Sequence, residues 1–206
     1  MDEIISGGPE FFDIRYAACR MPWDYGGVPN LLKTFLDTHH GPGRVLIPGC
    51  GSGYEIATFH SVGWDVIGID FSKVAVARAK TFLGPLADKV READFFTYPL
   101  RNAPFDIVYE RTFLCTLEAD RRSQYAWRMA ELVALSGLLC GFFFFGPEDE
   151  PPPYPISEDQ LDQLLGRWFE KIEDRMVEDS LPLYAGKERW QIWRRKGPPV
   201  SDLVGN

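Results

Sequence analysis

The chain has 206 residues, 45% of them apolar and 25% charged, with 22 Lys and Arg against 30 Asp and Glu for a formal net charge of −8. This is the composition of a globular protein rather than a disordered one, and its acidity argues against a protein that grips nucleic-acid phosphates with a basic face. The longest apolar run, residues 137–146, falls far short of the roughly 20 residues a membrane span needs, and the N-terminal MDEIISGGPE lacks the basic and apolar stretches of a secretory signal.

Residues 44–48 (RVLIP) read as a first buried strand running into a glycine cluster. Residues 53–62 read as a helix and 64–70 as a second strand. A helix over 72–83 follows, with Ser72 at its N-cap. Residues 90–95 form a third strand, 105–110 a fourth, and 120–135 a long helix. The run 137–145 (GLLCGFFFF) has the unbroken hydrophobicity of a strand covered on both faces. Residues 157–168 read as an amphipathic helix capped by Ser157. This alternation predicts an α/β, doubly wound, mostly parallel sheet, with ligands at the carboxyl ends of the strands. The last third has two strands, 170–177 and 188–196, joined by a turn with Pro182 and Gly186 and no helix, which predicts an antiparallel C-terminal hairpin at the sheet edge. Residues 1–196 are expected to form one domain, with 197–206 a flexible tail.

The chemistry starts at Pro48-Gly49-Cys50-Gly51-Ser52-Gly53, where a strand ends and a helix begins. Glycines there let the backbone approach a ligand, and the helix start offers free N–H groups. The spacing is G-x-G-x-G, with Tyr54 following, so the dinucleotide pattern G-x-G-x-x-G is not met. Such a turn suits an uncharged or zwitterionic group better than a pyrophosphate. Asp70 ends the second strand, with Phe71 beside it, where a carboxylate accepts ribose hydroxyls. Asp94 and Phe95 end the third strand, placed to meet an adenine edge and face. Together Gly49, Gly51, Gly53, Asp70, Phe71, Asp94 and Phe95 describe a site for an adenosine carrying a non-phosphate tail, and S-adenosyl-L-methionine fits that description.

Other reactive-looking residues read as structure. Cys19, Cys50, Cys115 and Cys140 follow neither disulfide-framework nor zinc spacing. His39 and His40 lack a third ligand at metal spacing, so no metal is expected.

These motifs resemble the thiopurine S-methyltransferase superfamily of class I S-adenosylmethionine-dependent methyltransferases, and within it the thiol and halide methyltransferase branch. The match is carried by Pro22-Trp23-Asp24, residues 45–54 (VLIPGCGSGY), 93–96 (ADFF), 105–117 (FDIVYERTFLCTL) and 152–157 (PPYPIS), and it spans roughly residues 10–196. The resemblance implies a Rossmann-like fold with an N-terminal lid segment of about residues 1–40. It implies that Trp23 covers the methionine end of the cofactor, Gly49 and Gly51 line its backbone path, Asp70 takes the ribose, and Asp94 with Phe95 the adenine. Glu110 and Arg111 match an acidic-Arg pair; Glu110 is assigned to the cofactor and Arg111 to the acceptor pocket, where it would favour a thiolate. Tyr154 would face the acceptor from a Pro-rich loop. Plant halide methyltransferases have a different residue at the Arg111 position, which makes thiols better candidates than halides.

The expected activity is in-line methyl transfer to a small soft nucleophile, a thiol first, yielding S-adenosyl-L-homocysteine, in the cytoplasm, with no nucleic-acid or membrane partner and with the oligomeric state left open, a monomer being plausible. The alternatives are an O- or N-methyltransferase, which needs a general base that no His near the strand ends supplies, a halide or thiocyanate methyltransferase, and a cofactor-binding protein without turnover.

Overall fold

The computed structural model describes residues 7–99, 104–146 and 152–197. Helices α1 (Pro9–Ala17) and α2 (Asn30–Leu36) precede strand β1 (Arg44–Pro48). Then come α3 (Tyr54–Ser61), β2 (Asp65–Asp70), α4 (Lys73–Leu83), β3 (Val90–Glu92) and β4 (Phe105–Arg111). The remainder is α5 (Arg122–Leu132), β5 (Val133–Phe144), α6 (Glu158–Gly166), β6 (Phe169–Met176) and β7 (Glu188–Arg195).

The seven strands form one sheet in the order β3-β2-β1-β4-β5-β7-β6. The first five run parallel, and β7 enters antiparallel between β5 and β6. The expected C-terminal hairpin is present, with β6 as its outer strand. Strand residues alternate between the two faces of the sheet, as a pleat requires. Val45, Ile47, Ile107, Tyr109, Phe142, Trp190 and Ile192 pack with α2, α3 and α4. Leu46, Val108, Leu139, Phe143 and Trp193 pack with α5 and α6.

Local signals explain several boundaries. Ser72 Oγ accepts from the Ala75 amide at the start of α4. Ser157 and Gln160 form a reciprocal capping box at the start of α6. Three expected elements differ in extent, the strand expected over 137–145 beginning already at Val133. The third strand stops at Glu92, because Asp94 Oδ1 takes the Phe96 amide at 2.8 Å and turns the chain. The helix expected over 120–135 ends at Leu132, and Val133 already pairs with Phe105 in the sheet. Ser136, at φ +64°, then bends β5 beside a register shift. Among the described residues, no helix is long and apolar enough to cross a membrane.

Candidate functional site

The carboxyl ends of β1, β2, β3 and β4 open into a cavity of about 600 Å³. Gly49, Gly51 and Gly53 follow β1 at φ +60°, +52° and +79°, a region that disfavours side chains. A Cβ on Gly49 would come within 2.8 Å of the Phe113 ring, and one on Gly51 within 2.6 Å of Tyr16 Oη. This cradle is therefore closed to anything bulkier than glycine. Gly53 is different: its Cβ would meet Ala79 and Leu83 of α4, and it does not line the cavity. It lets helix α3 start against α4 rather than facing a ligand.

Asp70 lies at the cavity floor, 7% exposed. Its Oδ2 accepts from the Gly51 amide at 3.0 Å and its Oδ1 from the Ser72 amide at 2.9 Å. Burial pushes this carboxyl up to about 6, although three backbone N–H groups oppose the rise. Phe71, Asp94, Phe95 and Phe96 continue the same wall, and Phe95 packs edge-on against Phe96 and Phe113.

Helix α1 covers the cavity from above. Phe12, Tyr16 and Trp23 cluster with Phe71 and Ala75, and Trp23 Nε1 approaches Tyr16 Oη at 3.5 Å. Opposite, Cys115, Leu183 and Tyr184 come together with Trp23 and Phe144, and Pro152 and Pro153 complete this end.

Consecutive strand residues point to opposite faces, and that separates Glu110 from Arg111. Glu110, 1% exposed, turns toward α5 and is absent from the cavity wall. Its carboxylate accepts from the Phe113 amide at 2.8 Å, the Leu114 amide at 3.3 Å and Tyr125 Oη at 3.0 Å. It therefore braces the loop after β4, which lines the cavity, and does not face a cofactor. Burial lifts its pKa to about 7. A carboxyl raised in the fold stabilises it fully below the unfolded value near 4.5, and that contribution is lost as pH rises toward 7. Relative to a Glu110→Gln variant, which keeps an acceptor for the Phe113 amide, the parent chain should lose roughly 5–10 °C of melting temperature between pH 5 and pH 8. Scanning calorimetry of both chains checks this, and a difference that stays constant with pH would refute it.

Arg111, expected in the acceptor pocket, lies instead in a second recess of about 60 Å³ beneath the glycine turn. Its side chain is 11% exposed, 4.0 Å from both Glu55 and Glu188, and its guanidinium faces the rings of Phe142 at 4.8 Å and Tyr25 at 5.2 Å. Burial alone would lower its pKa, but Tyr109, Glu188 and Glu55 raise it on balance. Burial raises Glu55 and Glu188, and Arg111 pulls both back. Tyr109 Oη, Arg111 Nη1 and Glu188 Oε1 are buried here without a hydrogen-bond partner. The two recesses share Tyr16, Trp23, Gly49 and Thr112 as a common wall.

Tyr154 also departs from expectation. Its Oη donates to Glu118 at 3.3 Å, its amide donates to the Cys115 carbonyl, and it is not part of the cavity lining. The Pro-rich loop contributes Pro152 and Pro153 instead, held in place by Arg122, whose Nη2 donates to the Pro155 carbonyl at 2.9 Å. The tyrosine that does reach this end is Tyr184, from the β6–β7 loop. With Leu183 it carries no motif in the sequence that marks where that loop folds back, whereas Tyr16 packs in the N-terminal cover as its place beside Phe11 and Phe12 suggests.

A doubly wound sheet in this strand order, with a glycine cradle after β1 and a carboxylate ending β2, defines a class I S-adenosylmethionine-dependent methyltransferase. A crystal structure of 1,6-didemethyltoxoflavin-N1-methyltransferase from Burkholderia thailandensis with bound S-adenosylhomocysteine superposes with a TM-score of 0.74 at 19% identity, over 92% of this chain and 87% of that one. The sequence profile described as "Thiopurine S-methyltransferase (TPMT)" matches residues 8–196, and the chain belongs to that family. It is 33% identical over 214 residues to "Probable thiol methyltransferase 2" of Arabidopsis thaliana, covering 98% of this chain and 91% of that protein. It is 30% identical to "Thiocyanate methyltransferase 1" of the same plant, over 84% of this chain and 79% of that protein. It is 26% identical to "Thiopurine S-methyltransferase" of Vibrio atlanticus, over 87% and 91%.

Proposed function

We propose that this chain methylates the sulfur of a small thiol. The observation that carries the reading is the make-up of the cavity end beside Trp23: Cys115, Leu183, Tyr184, Pro152 and Pro153, aromatic and apolar groups suited to a soft, polarizable nucleophile. An alcohol acceptor must hand its proton to a base during attack, and a protonated amine must lose one before it. The cavity lining among the described residues includes neither His nor Lys, and its carboxylates are Asp70, Asp94, Glu118 and Asp120. A thiol needs no such group, because a few per cent is already thiolate at neutral pH.

The residues present fit the cofactor: a cradle that a Cβ would fill, and a buried carboxylate where ribose hydroxyls would donate. When bound, S-adenosylmethionine supplies the methyl group on a sulfonium. Asp70 holds the ribose, Asp94, Phe71 and Phe95 flank the base, and Gly49 and Gly51 admit the methionine chain. Arg111 is assigned to the carboxylate of that chain, because its Nη1, 4.0 Å from Glu188, has no hydrogen-bond acceptor and its residue lines the recess joined to the main cavity at Gly49 and Thr112. Trp23 and Tyr16 exclude water above it, and Tyr184 and Leu183 shape the acceptor end. The residues act mainly by alignment, a contribution on the order of 7–11 kcal/mol. All four cysteines are free, which fits a reducing compartment such as the cytoplasm.

The test is release of S-adenosylhomocysteine across alkyl and aryl thiols, sulfide, thiocyanate, iodide, a thiopurine, and matched alcohols and amines. Turnover with thiols and none with the matched alcohols is the expected result; turnover with alcohols or amines alone would overturn the reading.

A further inference from the structure

Helix α1 has nine residues, too few to be stable without tertiary support. Phe12 and Tyr16 supply its apolar seat. Its polar anchor is Asp13, whose Oδ1 accepts from Ser72 Oγ at 2.6 Å and from the Val74 amide at 3.2 Å. Ser72 is fully buried and serves two carboxylates at once. Its hydroxyl donates to Asp13 while its amide donates to Asp70 Oδ1 at 2.9 Å. The same hydroxyl accepts from the Ala75 amide at 3.1 Å, so a change at Asp13 is passed to the first turn of α4 and to the residue that aims Asp70.

We propose that Asp13 is a positioning residue for the ribose carboxylate: through Ser72 it makes the seating of helix α1 and the aim of Asp70 a single event, so that cover and ribose site form together. The proposal rests on the assignment of Asp70 to the ribose. It explains why a carboxylate stands where like charge opposes it, since Asp13 adds to the rise in the Asp70 pKa. The charged and titratable groups facing Asp70 are Asp13 and Tyr16 from α1 and Cys50 from the glycine turn. Lys73, 3.9 Å from Asp13 and 73% exposed, offsets little of that charge.

Two variants separate anchor from charge. Asp13→Ala removes both hydrogen bonds, whereas Asp13→Asn keeps an acceptor and removes only the charge. Titration calorimetry with S-adenosylhomocysteine at pH 8 is run on the parent, Asp13→Ala, Asp70→Ala and the double variant. Asp13→Ala should weaken binding about tenfold in the parent and less than about twofold once Asp70 is Ala. Asp13→Asn should make the loss of affinity between pH 8 and pH 5 smaller than the parent's roughly tenfold, because Asp70 then ionises at lower pH. Equal losses in both Asp70 backgrounds, or an unchanged pH profile in Asp13→Asn, overturn the proposal, since a merely structural cover would give those results. If Asp70→Ala alone binds as tightly as the parent, the ribose assignment fails instead, whatever Asp13 does.

Discussion

An Asp70→Ala chain should bind S-adenosylhomocysteine at least about a hundredfold more weakly than the parent, the loss expected when two hydrogen bonds to a charged acceptor, each worth roughly 1.5–3 kcal/mol, are removed together. The carboxylate does two things that no neighbour can replace. It ends β2 at the cavity floor, and it holds the Gly51 amide at 3.0 Å, fixing the glycine cradle against the strand. The affinity should also carry the carboxyl's own titration. Asp70 in the folded chain has its pKa raised to about 6, and ribose hydroxyls donate to the ionised form. Binding should therefore level off about one pH unit above that value and be about tenfold weaker at pH 5, where most of the carboxyl is protonated. Asp70→Ala should lose this pH dependence. Calorimetric titration from pH 5 to pH 8 measures both effects. An Asp70→Ala affinity within twofold of the parent would remove Asp70 from the site.

Asp70 and the glycine cradle are legible in the sequence because their chemistry is local: a strand, alternating glycines, a helix start, then a carboxylate at the end of the next strand. Spacing alone does not say which way each glycine faces. Gly49 backs onto Phe113 at the main cavity and Gly51 onto Tyr16 at the recess beneath the turn, while Gly53, in the same alternation, meets α4. Arg111 illustrates a second limit. Its adjacency to Glu110 suggests a pair, yet the pleat sends Glu110 to Tyr125 and Arg111 to Glu55 and Glu188. The burial partners of Arg111 come from α3 and from the start of β7, far apart in the chain. Tyr154 and Tyr184 fail to be told apart for a related reason. Each is a tyrosine in a Pro-containing loop, and only the long-range folding of the β6–β7 connection brings Tyr184 against Phe144 and Cys115. The over-long helix has a local cause: Leu132, Val133 and Leu135 continue an apolar period that the pairing of Val133 with Phe105 overrides.

Gly141 gives no sign of its importance in the run GLLCGFFFF, where it sits between apolar residues of a strand that periodicity reads as uniform. In the fold it lies in β5, paired with Glu110 of β4 on one side and Gln191 of β7 on the other. Its φ is +154°, and a Cβ there would stand 1.8 Å from the Glu110 carbonyl oxygen and 2.6 Å from its carbonyl carbon. Backbone on a central strand cannot swing aside as a side-chain tip can, so β4 and β5 must separate. Overpacking of a tight core costs about 1–3 kcal/mol or more, and a strained backbone about 1–3 kcal/mol further. Against a typical total stability of about 5–15 kcal/mol, Gly141→Ala should lower the melting temperature by at least about 10 °C or leave no folded chain. The displaced strand also carries the Glu110 brace and Arg111, so cofactor binding should fall with stability in any folded fraction. Gly166→Ala is the matched control: nothing lies within 4 Å of its Cβ at the end of α6, and its melting temperature should stay within about 3 °C of the parent. Thermal unfolding of the two variants side by side decides the matter. A Gly141→Ala chain melting with the parent would mean that β4 and β5 do not approach as closely as their pairing requires, and the placement of Glu110 and Arg111 on opposite faces would have to be redrawn with it.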